Sequence, residues 1–362
     1  MNELEKARKQ IDEIDEKMAK LFCERMDASR QVAMYKKDHG VRVFDPVREE
    51  AVMKKSVTRI EDEELRGYFV NFVRANMEIS KAYQARLLDG MRIAFSGVEG
   101  AFASIAAKRV FPTAKTVGYG DFEAAYRSVE RGECDAALLP IENSTNGDVG
   151  QVMDLAFFGS LYVSGVYDIE IVQNLLGVRG ATINDVKTVT SHPQALGQCK
   201  PFISSHGFEA VEAVNTAVAA ANVVEKNDKT VAAIGSEEAA RIYGLDILQS
   251  HINEKGSNTT RFAVFTRAMK EPSPGDAQFI MLFTVKNEAG ALARAVNTIG
   301  SHGINLRAIK SRPTKQISWS YYFFCEGEGC LVSDNGKQMV EELKQTCNDL
   351  KIIGSFEKEI LM

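Results

Sequence analysis

The sequence lacks the features that would point to a membrane, a metal or a nucleic acid. No apolar stretch reaches the roughly 20 residues of a membrane span, and the N-terminus is charged from Glu3 onward, so no signal peptide is visible. The six cysteines never form a C-x-x-C pair, which favours reduced thiols over a metal site. A net charge of −5 disfavours a phosphate backbone as ligand. We expect a cytoplasmic protein without membrane or nucleic-acid partners.

Nucleotide-binding motifs are absent too, since the chain has neither a dinucleotide fingerprint nor a phosphate-binding loop. What the 362 residues do contain is three consecutive segments with different hydrophobic patterns, which predict three domains. A helical pattern covers residues 1–89, and alternating strands and helices cover residues 91–267. A shorter α+β pattern covers residues 276–362, after a Pro-containing linker.

The N-terminal segment carries a seven-residue apolar repeat. Its first stripe contains Leu4, Ile11 and Met18, which predicts one long helix packed along a coiled-coil-like seam. Asp45-Pro46 reads as the N-cap and first residue of a second helix. Apolar residues at helical spacing over 65–87 predict a third helix and hence an all-α domain.

Charged and polar residues interrupt this apolar pattern. Arg25 stands where the repeat demands a buried apolar side chain, and Lys36 follows about 16 Å further along the helix. Asn76, Ser80 and Gln84 form an i, i+4 polar row on the third helix. A buried charge needs a partner, so the pattern favours a small cavity that binds an elongated anion. The alternative is a structural ion pair beside a solvated edge.

This segment resembles the all-helical chorismate mutase family. The residues that carry the resemblance are Arg8, Arg25, Lys36, Asp45, Arg48, Glu49, Ser80 and Gln84. It implies the rearrangement of chorismate to prephenate, which needs no cofactor but a dianion held in a compact conformer. It also implies that the three arginines hold the carboxylates and that Lys36 and Gln84 donate to the breaking ether oxygen. Asp45 and Glu49 would then orient the hydroxyl side.

Arg8 and Arg25 both match carboxylate-binding arginines, yet 17 residues separate them on one predicted helix. Seventeen helical residues span about 26 Å, which is too far for both side chains to reach one small acid. No Pro or Gly interrupts residues 3–36. We therefore predict a mutase site shared between two chains, in which a two-fold partner supplies Arg8 and the apolar stripe supplies the pairing surface.

From residue 91 the pattern predicts an α/β fold with parallel strands. Three polar clusters fall at predicted strand ends, namely Glu142-Asn143-Ser144, Ser191 to Gln198, and Asn258 to Phe262. The strand ends of a doubly wound sheet share one edge, so we expect these clusters to meet at a cleft. The plainer interpretations are an ordinary strand start at residues 258–262, and at His192 a turn residue instead of a general base.

This second segment resembles prephenate dehydratase. The motifs that carry the resemblance are Pro140-Ile141-Glu142-Asn143, Ser191-His192-Pro193-Gln194 with Gln198-Cys199, Gly235-Ser236-Glu237 and Thr260-Arg261-Phe262. It implies two α/β subdomains around a cleft, and the loss of carbon dioxide and hydroxide from prephenate to give phenylpyruvate. Thr260 would donate a hydrogen bond to the leaving hydroxyl. The substrate would be bound by Asn143, Ser144, Gln198, Thr260, Arg261 and Phe262. The chain departs from the family at Ala101 and Ala103, where hydroxylated residues are usual.

The third segment follows the order βαββαβ, which is ferredoxin-like. Gly290-Ala291-Leu292 and Ser311-Arg312-Pro313 resemble the ACT module found behind dehydratases. That resemblance implies a phenylalanine site between subunits and feedback inhibition, with contacts from Gly290, Ala291, Leu292, Asn305, Ser311 and Arg312. The alternative is a plain dimerisation domain. Lys310 stands where the family motif has Glu, which we expect to weaken inhibition or change its selectivity. Trp319 is expected to report ligand binding.

The order of the three segments resembles the bifunctional chorismate mutase–prephenate dehydratases of phenylalanine biosynthesis. We therefore expect chorismate and prephenate as substrates, phenylalanine as effector, no cofactor or metal, and a homodimer or higher homo-oligomer. One alternative is the same fusion acting on arogenate in the second step. Another is a non-catalytic amino-acid sensor, although Arg25, Lys36 and Gln84 are all retained.

Overall fold

A computed structural model describes residues 2–41, 43–253, 258–314, 320–358 and 360–361 of this multidomain protein. The chain divides into two compact units, residues 1–92 and 93–362. The first unit is all-α, and the second contains two α/β lobes and a ferredoxin-like α+β module. In the parts of the chain just named, no helix is long and apolar enough to cross a membrane.

The first unit consists of the three predicted helices, α1 Glu3–Asp38, α2 Pro46–Val57 and α3 Glu63–Asp89. Each begins at a side chain that caps free backbone N–H groups. The Asn2 side chain accepts from the Glu5 N–H at 2.8 Å, and Asp45 accepts from the Arg48 N–H at 3.0 Å. The predicted start of α2 is therefore confirmed. The third helix packs against both of the others.

The apolar stripe of α1 is not covered within one chain. Its buried residues are Ser29 and Ala33, both in its C-terminal half, whereas Leu4 is 57% exposed and Leu21 62%. The expectation that Arg25 is buried is wrong for the single chain, because the described residues leave this face of α1 open and Arg25 is itself exposed. Although α3 packs against α1, the described residues leave most of the seam predicted from the heptad repeat exposed.

The rest of the chain alternates strands and helices before ending in the α+β module. Its helices are α4 Phe102–Val110, α5 Phe122–Glu130, α6 Gly150–Phe158, α7 Pro193–Gln198, α8 Lys200–His206, α9 Thr216–Lys226, α10 Glu237–Tyr243, α11 Ala291–Ser301 and α12 Asp334–Thr346, with a 3₁₀ turn at Ile183–Asp185. Its strands are β1 Arg92–Ser96, β2 Lys115–Tyr119, β3 Ala136–Asn143, β4 Gly147–Asp148, β5 Tyr162–Glu170, β6 Asn174–Gly177, β7 Thr188–Ser191, β8 Glu209–Glu212, β9 Val231–Gly235, β10 Asp246–Gln249, β11 Thr259–Thr266, β12 Gln278–Thr284, β13 Asn305–Pro313, β14 Tyr321–Glu328, β15 Asp349–Phe356 and β16 Ile360–Leu361.

Three sheets organise these strands. The first runs in the order β16-β5-β11-β3-β1-β2 with β4 beside β3, the second β10-β6-β9-β7-β8, and the third β13-β14-β12-β15. The prediction of parallel strands is wrong for β11, which lies antiparallel to both β3 and β5. An apolar run does not reveal strand direction. The start of an antiparallel strand lies level with the end of its neighbour, so the polar ends of β3 and β11 still meet.

The third sheet is built into the dehydratase-like lobe. All seven residues of β12 are buried, because helices α11 and α12 cover one face and the first lobe covers the other. Ile280 and Phe324 share an apolar core with Val152 and Phe265 of the lobe. At the end of the chain, β16 pairs in parallel with β5. The C-terminal module therefore depends on the lobe for part of its core.

Candidate active sites

A polar cluster lies between α1 and α3 of the helical unit. The Arg25 guanidinium donates to the Asn76 carbonyl oxygen at 3.1 Å and to the Ser80 hydroxyl. Among the described residues no carboxylate pairs with Arg25. The part of the guanidinium group that α3 shields from water is enough to lower its pKa from the ordinary value. A cation whose partners are all neutral is suited to an anionic ligand.

Gln84 lies one helical turn beyond Ser80 and is buried. Its Nε2 donates to the Ser29 hydroxyl at 3.1 Å, while its Oε1 has no partner among the described residues. A buried polar atom without a partner costs about 1–3 kcal/mol. Rotating the amide by half a turn exchanges its donor and acceptor, so Gln84 can present either to a bound ligand.

The other predicted mutase residues surround this cluster unevenly. The Lys36 Nζ donates to the Val43 carbonyl oxygen at 2.5 Å. Glu49 lies 3.0 Å from the ammonium of Lys81, a residue that the sequence analysis did not predict. The Asp45 carboxylate caps α2 by accepting from the Arg48 N–H, and the Arg48 residue itself is exposed. The structure thus brings Arg25, Ser80 and Gln84 together. It leaves Arg8 exposed on the same unbroken helix, 17 residues before Arg25.

A cleft of about 460 Å³ in the second unit contains most of the predicted dehydratase residues. The side chains that line it include Ala101, Ala103, Asn143, His192, Gln198, Thr260 and Phe262. Thr260 lies directly opposite Asn143 in the antiparallel pair β11–β3. A larger cavity of about 770 Å³ lies beside it and shares Phe102 with it. The described residues that line this cavity include Ser236 and Glu237 of the Gly235-Ser236-Glu237 motif but none of the predicted substrate-binding residues. We therefore identify the smaller cleft as the candidate site.

Asn143 has a fixed orientation in the cleft. Its Oδ1 accepts from the backbone N–H groups of Thr145 and Asn146, both at 3.0 Å. Its Nδ2 must therefore point the other way, where it donates to the Thr260 Oγ1 at 2.9 Å and to the Asn258 Oδ1 at 3.0 Å. The Thr260 oxygen is occupied as an acceptor. Its O–H proton is then available to a molecule in the cleft.

Gln198 is oriented by two amides that were not among the predicted substrate-binding residues. Its Oε1 accepts from the Asn258 Nδ2 at 2.9 Å and from the Gln173 Nε2 at 3.3 Å. Its own Nε2 is therefore left to donate to a ligand. Asn258 and Gln173 are 4% and 2% exposed. Asn258 directly precedes the Thr-Thr-Arg-Phe stretch and had a signal in the sequence, whereas Gln173 lies in the plain connection between β5 and β6 and had none.

Ser144 and Arg261 are not among the residues that line the cleft. The Ser144 hydroxyl accepts from the Thr259 N–H at 3.0 Å, which ties the end of β3 to the start of β11. The Arg261 guanidinium lies 3.1 Å from Glu142, 3.5 Å from Asp168 and 2.8 Å from Glu326 of the third sheet. It faces the C-terminal module, on the side of β11 opposite to Thr260.

His192 caps helix α7, because its Nδ1 accepts from the Gln194 N–H at 3.2 Å. The turn interpretation explains this contact. In the ranges that the structure describes, no cluster of three or more His, Cys, Asp or Glu side chains has the arrangement of a metal site. Apart from His192, the polar side chains described along the cleft are hydroxyls and amides, which position a substrate and donate hydrogen bonds.

The predicted effector residues lie at two places in the third sheet. The register sets Thr284 level with Tyr322 and Arg312, so the loop into α11 and the end of β13 share one end of the sheet. Gly290 is the N-cap of α11 and has φ +79°, a conformation that glycine adopts easily. Asn305 lies at the opposite end of β13 and donates to Glu328 at 2.8 Å.

Two other predictions concern the same module. The Arg312 guanidinium pairs with the Asp154 carboxylate of α6 at 2.7 Å, and so faces the dehydratase lobe. Trp319, the predicted reporter of ligand binding, lies outside the described residues. The effector site therefore stays a prediction.

Comparisons with known proteins match all three segments in order. The family model for chorismate mutase type II matches residues 7–85, that for prephenate dehydratase matches 93–270, and that for the ACT domain matches 279–346. A bifunctional chorismate mutase/prephenate dehydratase from Aquifex aeolicus (strain VF5) is 32% identical over 366 residues, covering 100% of this chain and 99% of the relative. The chain belongs to this bifunctional family.

The solved structures resemble the second unit. The prephenate dehydratase from Arthrobacter aurescens, in complex with L-Phe, aligns with a TM-score of 0.68 and 26% identity over 74% of this chain and 90% of its own. A chain titled "GqqA- a novel type of quorum quenching acylases" aligns with a TM-score of 0.69 and 29% identity over 74% of this chain and 97% of its own. Because one fold hosts several chemistries, the fold alone does not identify the reaction. The mutase and dehydratase domains of this bifunctional enzyme support both activities.

Proposed function

We propose that the cleft converts prephenate to phenylpyruvate with Thr260 as hydrogen-bond donor. The carbon–carbon bond to the ring carboxylate breaks and releases carbon dioxide. Its electron pair aromatises the ring, and the ring hydroxyl leaves with its bonding electrons. The Thr260 O–H donates to that departing oxygen as negative charge develops on it. The observation that carries this role is the 2.9 Å hydrogen bond from Asn143, which occupies the Thr260 oxygen as an acceptor.

In the helical unit, we propose that arginines bind the substrate carboxylates and that Lys36 and Gln84 donate hydrogen bonds to the ether oxygen. Arg25 supports it as a cation with neutral partners, and Gln84 as a buried amide with an unpaired oxygen. The second arginine, Arg8, must come from another chain, because about 26 Å of helix separates it from Arg25. The exposed apolar stripe of α1 is the surface on which a second copy would pack. We therefore propose a dimeric mutase site.

Supplying the purified protein with chorismate alone tests both steps. The expected result is loss of chorismate followed by formation of phenylpyruvate without added cofactor. Prephenate that accumulates without phenylpyruvate would argue for arogenate as the second substrate. Prephenate is favoured because the fused mutase makes it in the same chain. If the protein does not consume chorismate and forms no phenylpyruvate, a non-catalytic sensor would be favoured. We also propose that the protein is cytoplasmic, because its six cysteines are free thiols, as expected in a reducing compartment.

Phenylalanine is proposed as the effector of the ACT domain. The Arthrobacter relative carries L-Phe in its structure, and the sensitivity of this chain is measured as dehydratase inhibition in the full-length protein. Truncation after residue 275 is a poor test, because it would expose the core that Ile280 and Phe324 share with the lobe. Insensitivity to millimolar phenylalanine would favour a plain dimerisation domain.

A further inference from the structure

Two charged side chains of the ACT sheet reach the strands that carry Asn143 and Thr260. On β13, the Lys310 ammonium lies 2.7 Å from the Glu142 Oε1 and also contacts Asp148. On β14, Glu326 receives two hydrogen-bonding contacts from Arg261, from Nη1 to Oε1 at 3.1 Å and from Nη2 to Oε2 at 2.8 Å. Paired contacts of this kind restrict both the distance and the orientation of the guanidinium.

Each lobe residue held in this way is next in sequence to a residue of the cleft. Glu142 precedes Asn143, and Arg261 follows Thr260. Successive side chains of a strand point to opposite faces, so the ion pairs occupy one face and the cleft residues the other. Arg261 and Glu142 are also direct cross-strand partners, beside a register shift between Arg261 and Phe262. Bulges of this kind turn side chains near active sites.

The bridge is enclosed and charged. The Glu326 side chain is 6% exposed and that of Arg261 14%. Burial opposes ionisation of Glu142, but hydrogen bonds from Lys310 and Arg261 hold the pKa of its carboxyl below the ordinary value. Burial likewise opposes the charge on Lys310, yet Asp148 and Glu142 raise its pKa. Glu142 and Lys310 are therefore both charged near neutral pH, and removing one partner of such a pair leaves an uncompensated charge.

We propose that Glu326 and Lys310 of the ACT sheet are positioning residues of the dehydratase site. Glu326 holds Arg261 and Lys310 holds Glu142, so that Thr260 and Asn143 keep their alignment on the cleft face. This inference rests on the proposed role of Thr260 in the dehydratase step. It gives Arg261 a structural task on the far face of β11, in place of substrate binding. It also gives the lysine that replaces the family's usual glutamate a task within the chain.

Replacing Glu326 by glutamine tests the first half of the bridge. Glu326→Gln keeps the shape but removes the charge, and we expect dehydratase kcat to fall about tenfold with KM within twofold, since a 1 Å displacement can cost on the order of a hundredfold. Mutase activity of the same chain and the thermal melt report whether the protein is intact. The matched control is Glu328→Gln on the same strand, whose partners Asn305 and Arg307 belong to the ACT sheet itself. It should leave kcat at the wild-type value.

Lys310 provides an independent pair of variants. Lys310→Met should lower kcat severalfold, and Lys310→Arg should restore it because the charge is kept. Lys344→Met is the control, because Lys344 pairs with Glu341 on the exposed face of α12. If Glu326→Gln fails to fold, the Lys310 variants decide the question. A folded Lys310→Met enzyme with wild-type kcat would then overturn the proposal.

Arg261→Gln separates this role from substrate binding. If Arg261 acts through Glu326, the double variant Arg261→Gln/Glu326→Gln should be no slower than Arg261→Gln alone. A large rise in KM for Arg261→Gln, together with unchanged kcat for Glu326→Gln, would overturn the positioning role. Thr260→Ala tests the underlying function separately, because an inactive Thr260→Ala beside a fully active Glu326→Gln would reject only the bridge.

Discussion

The helical unit and the dehydratase cleft differ in how closely one chain brings its predicted site residues together. In the cleft, Asn143 and Thr260 are 117 residues apart in sequence, yet they are joined by a 2.9 Å hydrogen bond. In the helical unit, Arg8 and Arg25 are only 17 residues apart but lie on one continuous helix. Antiparallel strands return distant segments to the same place, whereas a helix spreads its residues along a line. This difference is why we propose a second chain for the mutase site and none for the cleft.

Thr260→Ala tests whether the cleft formed within one chain is the dehydratase site. Removing the donor should lower dehydratase kcat by about a hundredfold to a thousandfold, the range seen when one donor to a developing oxyanion is deleted. Mutase turnover of the same preparation should remain near wild type. Thr260→Ser keeps the hydroxyl and is the matched control. Unchanged dehydratase turnover in Thr260→Ala would reject this site.

Arg8→Ala and Arg25→Ala test whether the mutase site is shared. Each homodimer should lose mutase activity on the order of a hundredfold, because each lacks one carboxylate partner. Refolded together in equal amounts, half of the dimers are mixed, and each mixed dimer holds one intact site and one doubly damaged site. Activity should return to about a quarter of wild type by that two-fold counting. Mixed dimers confirmed by mass spectrometry but without recovered activity would exclude a shared site.

Asn258→Ala tests whether the orientation of the cleft amides matters for the dehydratase step. Asn258 accepts from Asn143 and donates to Gln198, so its removal should loosen both and lower dehydratase kcat about tenfold, as expected for one or two lost hydrogen bonds. The exposed Asn348→Ala is the control and should have no effect. Equal losses in the two variants would mean that the effect is one of general stability.

Gly354→Ala tests whether the ACT sheet is built into the lobe. An added Cβ would lie 2.3 Å from the Val163 carbonyl oxygen, so β15 must move away from β5. We expect a loss of about 1–3 kcal/mol in stability of the second unit, typical of overpacking. Gly300→Ala is the control, because nothing lies within 4 Å of its added Cβ. A melt of Gly354→Ala that matches that of the control would show that the two sheets pack loosely.

The helices and strands could be predicted largely from short-range sequence patterns. The Asp45 cap, the buried run at residues 262–265 and the βαββαβ order all follow from capping, burial or periodicity over short stretches. Strand direction was not readable, because nothing in an apolar run encodes the direction of the neighbouring strands. The antiparallel direction of β11 was therefore found only in the structure. The same limit explains Arg261, since its residue type predicted an anion partner without saying which face of the strand would supply it.

The sequence by itself determined the three modules, and it predicted the residue types of both sites and a second chain around α1. These follow from periodicity, from motif chemistry and from the rise of a helix. Only the tertiary structure decided which amides orient Thr260, and that Lys310 and Glu326 face the dehydratase strands. Those contacts join residues more than 60 positions apart in the chain. Their geometry depends on how sheets pack and in which register, and no local pattern specifies either.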